Sequence, residues 1–324
     1  MQQIDFVDMG GLKVGHAQDL HGATGCSVII CEAGAAAGVD VRGGAPATRE
    51  TDLLNPVNMV DRVHAILLTG GSAFGLDAAA GVMQYCEERD IGFDVGMTRV
   101  PIVCGAALFD LAVGDYSVRP DKAMGYEAAV HASSHESRQG CIGAGTGASV
   151  GKIRGMERAM KSGLGSFAIR HEDLMVGALV AMNCLGDVID PRSGRKIAGL
   201  LSEDRRSLSD TEETMMASST GGQRPFSGNT TIGVVATNAS LTKAQAAKVA
   251  SMAHNGYART MRPAHSMYDG DTIFALSCGG IDADISVVGM LSARVMERAV
   301  VAAVEGATGL CGLLSCADLQ SRGT

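Results

Sequence analysis

The sequence is short of basic residues, of aromatic rings and of long apolar runs, and each shortage narrows what the chain can do. Lysine and arginine number 27 against 35 acidic residues, 27 − 35 = −8, and no basic run occurs anywhere. Neutralising phosphates takes a dense Lys/Arg face, so a nucleic-acid partner is not expected. The longest apolar stretch free of charge, Leu174 to Gly186, has thirteen residues and contains Asn183. A membrane-spanning helix needs roughly 18–20 residues, so no membrane segment is expected. Met1 to Gly15 carries Asp5 and Asp8 and lacks the basic and apolar regions of a signal peptide. The nine cysteines, among them Cys26, Cys31, Cys86, Cys141 and Cys278, include no Cys-x-x-Cys pair. Neither a disulfide framework nor a zinc site follows, and reduced thiols in a cytoplasm are the expected state.

Tryptophan is absent and proline numbers only seven, but 43 of the 324 residues are glycine, nearly twice the usual share of about 7%. There is no collagen-like period, and at 46% apolar residues the chain can bury a core. The glycines therefore belong to tight turns and close backbone approaches in a compact fold.

Short β-type runs alternate with alanine-rich helical stretches, as in a layered α/β or α+β protein. Ser27–Cys31, Ala65–Thr69, Met175–Met182, Ile232–Thr237 and Thr272–Ser277 read as strands. Ala65–Thr69 lacks alternation, so it is expected to be buried on both faces. Helices are expected at Phe74–Arg89, Lys243–Thr260 with Ser240 or Thr242 as N-cap, and Val287–Glu305. From Ser202 to Gly228 the chain is polar, with scattered apolar residues, and reads as an exposed loop or linker. A tract of that length needs a functional reason.

Three motifs suggest chemistry without completing it. Gly70-Gly71-Ser72-Ala73-Phe74 approaches a nucleophile elbow but has Phe74 at the last glycine position, so a structural turn is the better reading of Ser72. Gly145–Lys152 approaches a phosphate loop, but Thr146 and Ile153 stand where that loop needs glycine and a hydroxyl residue. His131, His135 and Glu136 have metal-compatible spacing on a short helix, yet no further ligand pattern lies near, and a solvated pair is favoured. No cofactor and no metal are expected.

The junction Asn229-Thr230 is more informative. A threonine hydroxyl is a weak nucleophile until a base lies beside it, and a free α-amine with a pKa near 8 serves as that base if the threonine becomes N-terminal. Scission after Asn229 would create that group, where a polar linker meets a buried strand. Asp269-Gly270-Asp271 precedes another strand, and residues i and i+2 of an extended backbone project to one side, so the two carboxylates can converge. Such a pair raises at least one pKa unless a cation is near, and Lys152 is a candidate cation. The same segments also read as an ordinary turn before a strand and a solvated Asp-Gly-Asp turn.

Taken together, these segments resemble the L-aminopeptidase/D-esterase/amidase family of self-processing N-terminal-nucleophile-type hydrolases, which includes β-aminopeptidases and the nylon-oligomer endo-hydrolase. The resemblance runs over nearly the whole chain. It rests on Val39–Pro46 with Thr48–Thr51, Leu67–Asp77, Gly143–Lys152, the strand to Asn183, Gly228–Ile232 and Asp269–Phe274. It implies one four-layer αββα sandwich spanning 1–324 and cut between Asn229 and Thr230 into an α chain, 1–229 with an exposed tail from 202, and a β chain, 230–324. It further implies Thr230 as nucleophile, Asn183 as oxyanion donor, Asp269 and Asp271 as the orienting acidic pair, and Lys152 beside them. Aminopeptidase members carry a serine nucleophile and a Ser-x-Glu arrangement instead of Asp-Gly-Asp, which moves this chain toward the nylon-hydrolase-like branch. Phe109 lies near where some members have a tyrosine, and without a hydroxyl it can only shape the pocket. The expected activity is hydrolysis of small amides or peptides through a threonyl ester, by a homo-oligomer, a tetramer of αβ units. An acyltransferase resembling the ornithine acetyltransferases, and an uncleaved non-catalytic homologue, are the alternatives.

Overall fold

The computed structural model describes residues 1–217 and 228–322. Ten strands form its main sheet system: β1 (Gln2–Ile4), β2 (Lys13–Asp19), β3 (Thr24–Val41), β4 (Thr48–Arg49), β5 (Val63–Thr69), β6 (Val103–Ala107), β7 (Leu164–His171), β8 (Leu174–Ala181), β9 (Ile232–Ala239) and β10 (Thr272–Ile281). The helices are α1 (Ala78–Glu87), α2 (Lys122–Val130), α3 (Thr211–Ala217), α4 (Lys243–Thr260) and α5 (Ile285–Glu305), followed by a short C-terminal one. The spatial order is β1-β7-β8-β9-β10-β3-β5-β6-β4, with β2 also on β3. The pairs β9–β10 and β5–β6 are parallel.

Strand β3 belongs to two sheets. Its first part, Thr24–Ile30, lies between β2 and β5, and its second, Ala36–Val41, pairs with β10. Between them the register slips, and Gly34 takes a φ of +72°, a left-handed conformation open to glycine at no steric cost. Sequence alone marks only Ser27–Cys31 of this strand, because the alanines and glycines that follow carry little β signal.

Side chains alternate across each strand and so build three cores between four layers. Val28, Ile30, Ala65 and Leu67 pack on Ala78, Val82 and Ala128 of α1 and α2. Their neighbours Ile29, Ile66 and Leu68 turn inward to meet Leu179, Val234, Phe274 and Leu276 of the other sheet. That sheet's outer face, with Ala178, Val180, Val235, Ile273 and Ala275, packs on Val249, Ala253, Val295 and Ala299 of α4 and α5. This is an αββα sandwich, and β5 is buried on both faces as its sequence predicts. The helices sit unusually close. A Cβ on Gly38 would come within 2.1 Å of Ala247 N in α4, and one on Gly165 within 2.2 Å of Ala299 O in α5.

Helix α4 starts at Thr242, whose hydroxyl accepts from Gln245 N (3.3 Å) while Gln245 Oε1 accepts from Thr242 N (2.9 Å), a capping box. The helix expected from Phe74 begins instead with a 3-10 turn, Ser72–Asp77, and becomes α-helical at Ala78. The expected loop from Ser202 is more ordered than its composition predicts. It contains α3, and the first residue of α3 is buried against Asp187, which accepts from Thr211 N (2.9 Å) and Thr211 Oγ1 (2.7 Å). Residues 218–227 of that segment lie outside the described residues. Among the described residues no helix is long and apolar enough to cross a membrane.

Candidate active site

Three strand ends bring the site together. Antiparallel pairing of β8 and β9 sets Ala181 opposite Ile232, so Asn183, beyond one strand, lies beside Thr230, ahead of the other. Thr230 N donates to Asn183 O (2.9 Å). Parallel pairing sets Ile232 opposite Thr272, which places the Asp269–Asp271 turn against the same junction. Gly270 N donates to Asn229 O (3.2 Å), and Thr231 N to Asp271 Oδ1 (2.9 Å). The Thr230 hydroxyl also donates to the Asn229 carbonyl, so that oxygen receives two donors. The junction is buried, with Asn229 2% and Thr230 4% exposed.

Lys152 follows the glycine-rich stretch into this interior. Its ammonium group has three hydrogens to donate, and its contacts are Asn183 O (3.1 Å), Asn183 Oδ1 (2.9 Å) and Gly228 O (3.1 Å). Burial pulls its pKa down to about 7, against the opposing pull of nearby acidic groups including Asp269, Asp110 and Asp271. Lys152 thus faces the junction directly and reaches the carboxylates only through its field. With Ser149 N (3.0 Å) on Asn183 Oδ1 as well, the orientation of the Asn183 amide is fixed, and its Nδ2 donates to Phe109 O (2.9 Å). Phe109 was expected only to shape the pocket; its main-chain carbonyl instead aims the amide. The amide has two hydrogens, and this contact takes one.

Both carboxylates are fully buried, but their oxygens are aimed apart. Asp269 accepts from Leu185 N (3.2 Å), Ser266 N (3.1 Å) and the Ser266 hydroxyl. Asp271 accepts on its second oxygen from His265 N (3.0 Å) and His265 Nδ1 (2.9 Å). Burial, and then the neighbouring Asp271, raise the pKa of Asp269 to about 6. Gly270 between them is required by space, since a Cβ there would stand 2.7 Å from Thr230 Oγ1 and from Ala45 O. Gly43 N and Ala45 N, donating to Asp271 O (3.3 Å) and Asp269 O (2.8 Å), brace the turn from the end of β3.

Five residues singled out from sequence, Lys152, Asn183, Thr230, Asp269 and Asp271, therefore meet in one buried site. Sequence reading missed His265 and Ser266, which lie in a loop without a motif, and Ser149, in a two-residue strand within the glycine-rich stretch. It also missed Asp110, buried beside Phe109, where it accepts from Thr24 Oγ1 (2.7 Å) and Gly71 N (2.7 Å). Burial raises its pKa to about 6. The other motifs have local roles. Ser72 opens a 3-10 turn at φ +55°, and α2 ends at Val130, so His131 and His135 are not on a helix as expected. Among the described residues no group of three His, Cys, Asp or Glu side chains is placed to hold a metal ion.

The architecture is that of the variant Ntn-hydrolase fold. The L-aminopeptidase D-Ala-esterase/amidase of Ochrobactrum anthropi, described as a variant of the Ntn hydrolase fold, superposes with a TM-score of 0.73 at 18% identity over 98% of this chain and 91% of that one. A Burkholderia sp. β-aminopeptidase gives 0.68 at 20% identity over 98% and 92%. The chain belongs to peptidase family S58, whose model matches residues 5–314. It is 40% identical to an uncharacterized aminopeptidase of Mycobacterium tuberculosis (strain ATCC 25618 / H37Rv), over 97% of each chain. It is 33% identical to the 6-aminohexanoate-oligomer endohydrolase of Kocuria sp. (strain KY2), over 85% of this chain and 75% of that one. The protein is thus a hydrolase of the aminopeptidase/amidase type.

Proposed function

We propose that the chain cuts itself between Asn229 and Thr230 and then hydrolyses small amides or short peptides through an ester on Thr230. The observation that carries this reading is the Asn229 carbonyl, which is buried and receives both the Thr230 hydroxyl and Gly270 N–H. In self-cleavage, Thr230 Oγ adds to the Asn229 carbonyl carbon, and the carbon–nitrogen bond breaks. The hydroxyl proton ends on the departing Thr230 nitrogen. Water then hydrolyses the ester, releasing the Asn229 carboxylate and restoring the Thr230 hydroxyl beside its own free amine. Gly270 N–H is already on the oxygen that becomes negative, and such a donor is worth roughly 3–4 kcal/mol in the transition state.

In turnover the amine takes the hydroxyl proton as Thr230 attacks the substrate carbonyl, and returns it to the leaving amine; water resolves the ester by the same route. Asn183 O, already 2.9 Å from the Thr230 nitrogen, holds that amine in place. The remaining hydrogen of the Asn183 amide supplies an oxyanion donor. Asp269 and Asp271 fix the turn that carries Gly270. The two products stay together, because β9 lies hydrogen-bonded between β8 and β10, in the middle of the sheet. The relative that hydrolyses 6-aminohexanoate oligomers supports small, linear amides as substrates. The test is a denaturing gel of purified wild type and Thr230→Ala, with amide turnover assayed on both. Two bands and turnover in the wild type, with one band and no turnover in the variant, are expected. One identical band in both would remove the self-cleavage reading.

A further inference from the structure

Asp271 serves the junction with one oxygen only, the one that accepts Thr231 N–H; the other is held entirely by His265. That histidine approaches with two donors at once, its main-chain N–H (3.0 Å) and its ring Nδ1 (2.9 Å), both on Oδ2. The pincer has a conformational cost. His265 takes a φ of +57°, the left-handed region that is uncommon for residues other than glycine, though histidine is among those enriched there. A non-glycine residue in such a conformation costs of order 1–3 kcal/mol and persists where its surroundings over-determine it. Here the over-determining group is the buried carboxylate of a site residue.

The ring is also fixed on its far side. Nδ1 faces a carboxylate, so it carries a hydrogen, and Nε2 is the far ring nitrogen. That Nε2 is buried and has no hydrogen-bond partner among the described residues, as is true of His254 Nδ1 and the Tyr257 hydroxyl from α4. The three rings meet in one pocket, with centroids 4.8 Å apart for His254–His265, 5.4 Å for His254–Tyr257 and 6.3 Å for Tyr257–His265. His254 Nε2 lies 2.9 Å from Asp40 O, an acceptor, so His254 carries its hydrogen there and is bare at Nδ1. Burial lowers its pKa to about 4, which keeps it neutral. His265 faces Asp271 on its own loop and the His254 and Tyr257 rings of α4.

We propose that His265 is a positioning residue of this site, whose Nδ1–H and main-chain N–H hold Asp271 so that its free oxygen locks Thr231 N–H and thereby fixes Thr230. This rests on Thr230 as nucleophile for its consequence, and on Asp271 alone for its geometry. It also separates the roles of the two carboxylates. Asp271 is tied at both oxygens, to His265 and to the residue after Thr230, while Asp269 is tied to Ser266 and Leu185.

The experiment has two arms. In the Thr230→Ala chain, nitrogen NMR of labelled histidines should show His265 protonated at Nδ1. A ring protonated only at Nε2 overturns the proposal. In the otherwise native chain, His265→Ala should slow both self-cleavage and kcat by about 10- to 100-fold, the cost of slight misplacement, with KM little changed. His265→Asn keeps a donor near the Nδ1 position and tolerates a left-handed φ, so it should recover the rate to within a few-fold. Equal losses in both variants would overturn the proposal. If His265→Ala does not fold, His265→Asn and the NMR arm decide. A wild type that never cleaves while His265 shows Nδ1–H would sink Thr230 as nucleophile and leave the hold on Asp271 standing.

Discussion

Among the described residues two lysine side chains are fully buried, Lys152 and Lys161, and their surroundings differ in one respect. Lys161, like Lys152, is buried on every side, and its Nζ also reaches three oxygens: Gly145 O (3.1 Å), Ala148 O (2.9 Å) and Ser162 O. Burial lowers the pKa of both. The acceptors of Lys161 are all main-chain carbonyls, two of them in the glycine-rich stretch that leads to Lys152. Lys152 instead holds the amide of Asn183 and the carbonyl of Gly228, just upstream of the proposed cut. One ammonium braces a loop; the other grips groups that would take part in, or leave during, the proposed reaction. A buried lysine is thus not diagnostic of a site until its acceptors are known.

That contrast can be broken by substitution. The largest effect is expected from Lys152→Met, which should abolish self-cleavage in protein that remains folded, checked by intact mass together with circular dichroism. Lys161→Met should instead leave the folded fraction cleaving normally and lower stability by roughly 3–5 kcal/mol, since buried acceptors lose their donor, read by denaturant melts. If both variants lose cleavage equally at equal folded fraction, the distinction fails.

Asn183→Ala removes one of the Lys152 acceptors and the proposed oxyanion donor together. Turnover should fall by about 10²–10³-fold, measured as kcat on a chromogenic amide with protein already cleaved. A smaller effect comes from pH. The Lys152 pKa falls on folding from 10.5 to about 7, so between those values the unfolded chain binds the extra proton and unfolding free energy rises with pH. That contribution is complete above the unfolded value and is lost as pH falls through the folded one. Melts in the window from about 7 to about 10 should show this rise, with a shallower slope in Lys152→Met; an unchanged slope would mean that the ammonium is not desolvated. The smallest effect belongs to Ser72→Gly, outside both lysine sites. Glycine suits its φ of +55°, so turnover should be unchanged and stability should move by no more than about 0.5 kcal/mol.

Much of the site is legible in the sequence, for a physical reason. Asn183, Thr230 and Asp271 each stand at the end of an apolar run, and strand pairing brings run ends together, so linear position carries spatial information. His265 and Ser266 are legible only through the carboxylates they touch, and no periodicity marks them. Asp110 looks like any loop aspartate until its burial against Thr24 and Gly71 is seen. The polar stretch from Ser202 misleads in the other direction. Composition reports that it cannot build a core, but not that Asp187, buried elsewhere, offers Thr211 an anchor. The layers follow from alternation within each strand, whereas the span of β3 across two sheets depends on a glycine-permitted slip in register.

The central claim is that the bond before Thr230 is cut by Thr230 itself. N-terminal sequencing and intact mass of the small fragment from purified protein test it most directly. The account predicts a chain of 324 − 229 = 95 residues beginning Thr230-Thr231-Ile232, formed by the wild type and absent from Thr230→Ala. A fragment that begins at any other residue, or one that forms equally in Thr230→Ala, would contradict it.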